Sequence, residues 1–173
     1  AARGTEVSLL GLPDAALPLA EWTVEALGDR PCSLGIDPLA SWAGSPTTSD
    51  PGRAVALLPS LARLVPRLSP GRQRLLRADG APWHAAGATS AWTIACVAAA
   101  GLEYLRALAA AGVDVGVAER RLELVLPVGT RLLESVGALR ALRLVWARVL
   151  EDQGASPLRP ARVFATFASR ELT

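Results

Sequence analysis

Short apolar runs alternate with longer segments of helical periodicity along the 173-residue chain, and this alternation limits the folds open to it. Residues 5–11 (TEVSLLG) read as a strand ending at a glycine. Residues 17–27 follow with Leu19, Trp22, Val24 and Leu27 at helical spacing, closed by Gly28-Asp29-Arg30-Pro31. Residues 32–36 form a second apolar run, which Asp37-Pro38 stops. Residues 43–52, rich in Gly, Ser, Thr and Pro, are expected to be a loop and the softest stretch of the chain. Helical spacing returns over residues 53–68, with Pro59 and Pro66 predicting a break or kink. Residues 74–78 read as a strand ended by Asp79-Gly80, and residues 89–111 as the longest helix, with Gly112 suited to its C′ position. A short helix at 117–121 and a strand at 122–128 (LELVLPV) come next. Thr130 is the expected N-cap of a helix running to about Asp152, with Glu134 near its first turn and Gly154 as its stop. That helix carries the apolar stripe Leu132, Leu133, Val136, Leu139, Leu142, Val145, Trp146, Val149 and Leu150. Residues 163–168 (VFATFA) form a last strand.

The predicted order is β-α-β-α-β-α-β-α-β, about five strands and four helices. Such alternation calls for a parallel α/β sheet with right-handed crossovers, and short apolar strands suit a sheet covered on both faces. A closed eightfold barrel needs about 250 residues. The expected fold is therefore a partial TIM-type (β/α) barrel, with residues 1–173 as a single domain. A small doubly wound open sheet is the runner-up, but the chain lacks a GxGxxG turn opening a helix after a strand.

Composition removes several function classes. All 18 basic side chains are arginine, balanced by 16 acids and scattered among leucines, whereas a nucleic-acid site needs a clustered stripe. Cys32 and Cys96 stand alone, without CxxC or metal spacing, as free thiols of a cytoplasmic protein would. A single histidine, His84, makes a protein-only zinc site improbable. Residues 80–102 carry no formal charge and are long enough to span a bilayer, yet Pro82, His84 and many alanines favour a buried helix of a soluble fold. No signal peptide is visible, and the start Ala1-Ala2-Arg3, without Met, is that of a processed or excised product or of an internal portion of a longer polypeptide.

Several separated stretches agree in order and spacing with one family. DGAPWHAAGATSAWTIACVAAAGLEYLRALAAAGVDV (residues 79–115), VGTRLLESVGALRALRLVWARVLE (128–151), FATFASRELT at the end and SLGIDPLASWA (33–43) resemble methylmalonyl-CoA mutases. The most diagnostic pieces are AGA at 86–88, GxEYxR at 101–106 and LRALRLVWARV at 139–149. The resemblance implies an isomerase family that rearranges acyl-CoA skeletons by radical chemistry, interconverting methylmalonyl-CoA and succinyl-CoA. In such proteins a barrel holds the acyl-CoA, and a flavodoxin-like domain holds adenosylcobalamin through the His of a DxHxxG motif. This chain has no DxHxxG motif, so no cobalamin-binding domain is expected in it, and the cofactor is expected in a partner.

The resemblance also sets expectations for individual positions. Where active large subunits read SGYHMQEAGA, with a His on the substrate, this chain reads DGAPWHAAGA. The His position is Pro82, the Glu position is Ala85, and His84 lies two residues away; read as strand, that offset moves a side chain roughly 6 to 7 Å. Where they read TIQNDILKEFMVRN, this chain has Gly35 at the Gln position and Ser45 at the Arg position, losing the bidentate partner of a carboxylate. The small subunits of heterodimeric members resemble the chain in these departures. It is therefore expected to be a non-catalytic structural subunit, or part of one, beside a catalytic large subunit. The alternative is an acyl-CoA-binding or catalytic barrel with a remodelled site using His84, with Asp79 and Trp83 as candidate substrate contacts. For each the plainer reading is set alongside: His84 a polar loop residue, Asp79 a cap before Gly80, and Trp22, Trp42, Trp83, Trp92 and Trp146 packing residues. Arg77, Arg106, Arg140, Arg143 and Arg148 are weighed as CoA-phosphate ligands against solvated faces and ion pairs.

Overall fold

The computed structural model describes residues 7–8, 16–44, 51–155 and 161–171. Its strands are β1 (Val7–Ser8), β2 (Cys32–Ile36), β3 (Gln73–Asp79), β4 (Leu122–Val128) and β5 (Val163–Phe167). They form one sheet in the order β1-β2-β3-β4-β5, every adjacent pair parallel. A doubly wound sheet reverses its strand order at a switch point. The unbroken sequential order found here is that of a barrel sector, as expected. Most of the expected first strand, residues 5–11, and most of the loop at 43–52 lie outside the described residues.

The helices are more numerous than the four expected: α1 (Ala16–Leu27), α2 (Pro38–Gly44), α3 (Pro51–Ala56), α4 (Leu58–Ala62), α5 (Ala81–Ala85), α6 (Ser90–Ala110), α7 (Val115–Arg120) and α8 (Leu132–Asp152). Two differences, and the break expected at the prolines, have clear causes. Asp37-Pro38, expected only to stop a strand, also starts α2: the Asp37 carboxylate accepts the Ala40 amide at 2.9 Å, and Pro38 opens the helix where no amide hydrogen is needed. The proline-bearing segment is broken into α3, α4 and a 3-10 turn at Val65–Arg67, since Pro66 cannot continue an α-helical ladder. Thr130 does not occupy the N-cap of α8. That position is Arg131, without a side-chain cap, so Thr130 sits one residue too early; instead the Gly129 amide donates to the Ser135 hydroxyl at 3.2 Å.

The longest two helices pack on each other and define the core. Thr89 caps α6 by accepting the Trp92 amide, and Gly112 follows it at φ 85°, a left-handed angle that favours glycine. By length and composition α6 is apolar enough to cross a membrane, yet half of that window is buried inside the fold. Tyr104, Leu105 and Leu108 of α6 join Leu142, Trp146 and Leu150 of α8 and the outward residues Leu76, Ala78, Leu122, Leu124 and Leu126 of β3 and β4. Of the α8 stripe, Leu142, Trp146 and Leu150 are buried, whereas Leu132, Leu133, Val136 and Val145 are exposed. Trp22 and Trp92 are exposed as well, while Trp146 alone among the tryptophans is fully buried.

The α6–α8 crossing is close because Gly101 has no side chain: an added Cβ would lie 2.7 Å from a carbon of the Trp146 ring. Below the sheet, the buried Arg121 guanidinium donates to the carbonyls of Leu68, Ser69 and Gln73 at 2.7 to 2.9 Å, fixing the loop that enters β3. We expect Gly101→Ala to lower the free energy of unfolding by about 1–3 kcal/mol through overpacking. Urea melts of the single variant and of Gly101→Ala with Trp146→Phe check this, and the second change is expected to recover part of the loss.

Candidate functional site

The face of the sheet opposite the helical core carries charge. On β3 the amides of Leu75 and Leu76 both donate to the Arg121 carbonyl, at 2.9 and 3.1 Å, so two residues oppose one. This bulge puts Arg74 and Arg77 on the same face, where regular alternation would separate residues three apart. Both point at Glu123 of β4. Arg77 reaches one carboxylate oxygen through Nη2 at 2.7 Å and Nε at 2.8 Å, and Arg74 lies 3.9 Å from the other. The Ser33 hydroxyl of β2 donates to the same oxygen as Arg77, at 3.0 Å. The Glu123 side chain is 1% exposed. The Arg74 guanidinium also lies 5.7 Å from the Phe164 ring centre of β5, so this cluster links four strands.

A second cluster sits at the C-terminal ends of β2 and β3, where barrel enzymes keep their chemistry. The Asp37 carboxylate accepts the Tyr104 hydroxyl from α6, the Ala40 amide at 2.9 Å and the Asp79 amide at 2.7 Å. The Tyr104 hydroxyl in turn accepts the Leu39 amide at 3.0 Å. Burial outweighs these hydrogen bonds and pushes the Asp37 carboxyl up to about 6. Burial also raises the Tyr104 hydroxyl well above its ordinary value, and the Asp37 charge beside it adds to the effect. Asp79 accepts the Ala81 amide at 2.8 Å, and burial raises its carboxyl too, against the opposing charge of Arg77.

The residues singled out from sequence fall around this rim. Asp79 ends β3 and caps the turn into α5. Trp83 is half-buried on α5. His84 is not in a loop: it lies on α5, buried at 8% exposure, with its amide donating to the Gly80 carbonyl at 3.0 Å. Pro82 is in the first turn of the same helix. Two residues on a helix are about 200° apart around the axis, so Pro82 and His84 point to opposite sides, and the strand offset expected from sequence does not apply. Gly35 adopts φ 58° within β2, where the pairing with β3 is irregular. A side chain there would be strained, so more than the polar group is lost at this position. Ser45 lies outside the described residues. Among the arginines, Arg77 is held by Glu123, Arg148 pairs with Glu151 on the surface, and Arg106, Arg140 and Arg143 are exposed.

Glu123, Arg74, Asp37 and Tyr104 were not anticipated as a polar framework. Glu123 had a signal, as an acid inside the apolar run LELVLPV. The pairing of Asp37 with Tyr104 joins residues 67 apart in sequence and had none.

The sequence model of the family described as methylmalonyl-CoA mutase matches residues 62–169, from α4 through the end of β5. This chain belongs to the methylmalonyl-CoA mutase family. It is 38% identical over 122 residues to the methylmalonyl-CoA mutase small subunit of Streptomyces virginiae, a match covering 70% of this chain and 19% of that protein. It is 37% identical over 81 residues to the probable methylmalonyl-CoA mutase small subunit of Mycobacterium tuberculosis, covering 47% of this chain and 13% of that one. The methylmalonyl-CoA mutase large subunit of Streptomyces virginiae is 41% identical over 67 residues, 39% of this chain and 9% of the relative. The matched part of the chain therefore spans about a fifth of the length of that small subunit. The chain is a small-subunit-like member of the mutase family.

Removing the acid that neutralises two buried arginines tests the inner cluster. We expect Glu123→Gln to cost about 3–5 kcal/mol of stability, the usual penalty for leaving a buried charge without its partner. Chemical denaturation reads it, and Glu123→Gln with Arg77→Met is expected to be less damaging than the single change.

Proposed function

We propose that this chain is a structural, non-catalytic portion of a mutase small subunit, and that it stabilises a large subunit that performs the reaction. One observation carries the reading: the acids at the rim are already engaged by the fold. Both Asp37 carboxylate oxygens receive hydrogen bonds from within the chain, and Asp79 caps the start of α5. The position matching the family's substrate histidine is Pro82, which offers no polar side-chain group. A transition state is stabilised by groups free to meet developing charge. The groups near this rim are instead spent on joining secondary-structure elements.

Adenosylcobalamin fits this chain poorly. Its one imidazole, His84, is buried on α5 and lies outside any DxHxxG sequence. We assign the cofactor, and with it the interconversion of methylmalonyl-CoA and succinyl-CoA, to the large partner, and no chemical step to this chain. Residues 1–173 are read as one portion of a barrel domain in a cytoplasmic complex, where Cys32 and Cys96 remain as thiols.

Association is supported by uncovered apolar surface. Leu133 is 87% exposed, and Leu144, Phe167 and Trp92 also lie open, while β5 closes the sheet order among the described residues with only β4 beside it. Such surface and such an edge call for a partner or for the rest of a barrel.

Calorimetric titration of methylmalonyl-CoA into the chain is expected to give no saturable heat, while size-exclusion chromatography with the large subunit is expected to give a joint peak. Leu133→Glu with Leu144→Glu is expected to weaken that association at least tenfold. Saturable acyl-CoA binding that His84→Ala abolishes would overturn the scaffold reading in favour of a remodelled site.

A further inference from the structure

Helix α8 carries apolar side chains on two sides. Leu142, Trp146 and Leu150 face the core, whereas Leu133 and Leu144 stand outward at 87% and 74% exposure. Leu133 precedes Leu142 by about two and a half turns, which puts it on the opposite side of the helix. Trp92, 68% exposed, stands in the same relation to Gly101 on α6. A surface helix ordinarily keeps polar residues on its outer side. Further barrel elements would leave this face open. Glu134, which accepts the Ser90 hydroxyl, marks the side of α8 turned toward α6, and Leu132 and Val136 lie on the other side. Barrel helices form a single outer ring, so a helix following β5 would cover Leu132 and Val136 and not Leu133, Leu144 or Trp92.

The surface between these residues is apolar and low. Gly137 and Ala141 follow Glu134 along the α6 side of α8, and Ala95 and Ala99 are exposed on α6. A Cβ at Gly137 would meet nothing within the chain, unlike one at Gly101, although glycine weakens a helix interior. Charge distinguishes the same face. Glu134 is met by Arg131 and Ser90, and Arg148 is paired with Glu151 and drawn to Asp152. Arg140 and Arg143 are exposed between these acids and make no ion pair among the described residues. The middle of the face is therefore apolar and positive.

We propose that the outer face of α6 and α8 docks an amphipathic helix of the large subunit. The apolar stripe of that helix lies between Trp92, Leu133 and Leu144, and its flanking Asp or Glu side chains pair with Arg140 and Arg143. The inference rests on the reading that this chain stabilises a large subunit. Leu133 to Leu144 spans about 16 Å, three turns of a facing helix. The small residues between them admit the close axial approach of packed helices. A second copy would bring the same unpaired arginines against one another, and the acids at both ends of α8 do not suit an anionic bilayer.

Equilibrium association of the chain with the large subunit tests this. Gly137→Leu is expected to leave the urea midpoint of the free chain unchanged or raised, because the new side chain meets open space. The same change is expected to weaken association about tenfold or more by blocking the approach. Arg140→Glu with Arg143→Glu is expected to weaken association about tenfold and to flatten its dependence on salt. Hydrogen exchange on the complex is expected to show new protection in one helical segment of the large subunit that has acids beside its apolar stripe. A joint species whose affinity neither variant changes would overturn this inference and leave the scaffold reading standing. The absence of any joint species would overturn both. Self-association of the chain that Gly137→Leu abolishes would assign the face to a second copy, and binding to phosphatidylglycerol vesicles lost in that variant would assign it to lipid; either result overturns the proposal.

Discussion

The Glu123 carboxylate is the contact on which the rest of this sheet depends. It sits almost without solvent on the inner face of β4, and it holds Arg77 and Arg74 of β3 and Ser33 of β2. A buried ion group of this kind adds little net stability when complete, because desolvation offsets attraction. Its effect is on register. The two arginines face Glu123 together only because β3 is bulged at Leu75 and Leu76, and a slip of one residue would bury both without a counter-charge. The pairing of three strands is thereby tied to one acid.

The helical side of the sheet is organised differently. There the close approach of α6 to α8 is set by the missing side chain of Gly101 against Trp146, and apolar burial dominates. Tyr104 connects the two regimes. Its ring is fully buried in the core of α6, while its hydroxyl reaches the rim and meets Asp37 and the Leu39 amide. At that rim, Asp37 and Asp79 cap the backbone of neighbouring elements.

Much of the fold was legible in the chain. The limits of β2 and β4 and the extents of α1 and α8 follow from apolar periodicity and from Gly and Pro punctuation, which are local properties. The misreadings are local too, but ambiguous. Asp37-Pro38 both ends a strand and begins a helix, and periodicity cannot separate the two. Asp79-Gly80 reads as the end of a strand, and periodicity does not reveal that α5 opens there and carries Pro82 and His84. Periodicity marks the α8 stripe as apolar but not what covers it, and Leu132, Leu133, Val136 and Val145 of that stripe are exposed.

The sequence by itself determined the parallel α/β class, the family resemblance through motifs at residues 79–115 and 128–151, and the absence of polar side chains at Pro82 and Gly35. These depend on residue identity and on spacing within a single element. Only the tertiary structure decided that Glu123 gathers Arg74 and Arg77, that Asp37 is clasped by Tyr104, and that His84 is buried. Such contacts join residues tens of positions apart, through a strand bulge and the meeting of separate elements. Hydrogen bonds and ion pairs act over a few ångströms, so they exist only once the chain has brought those residues together.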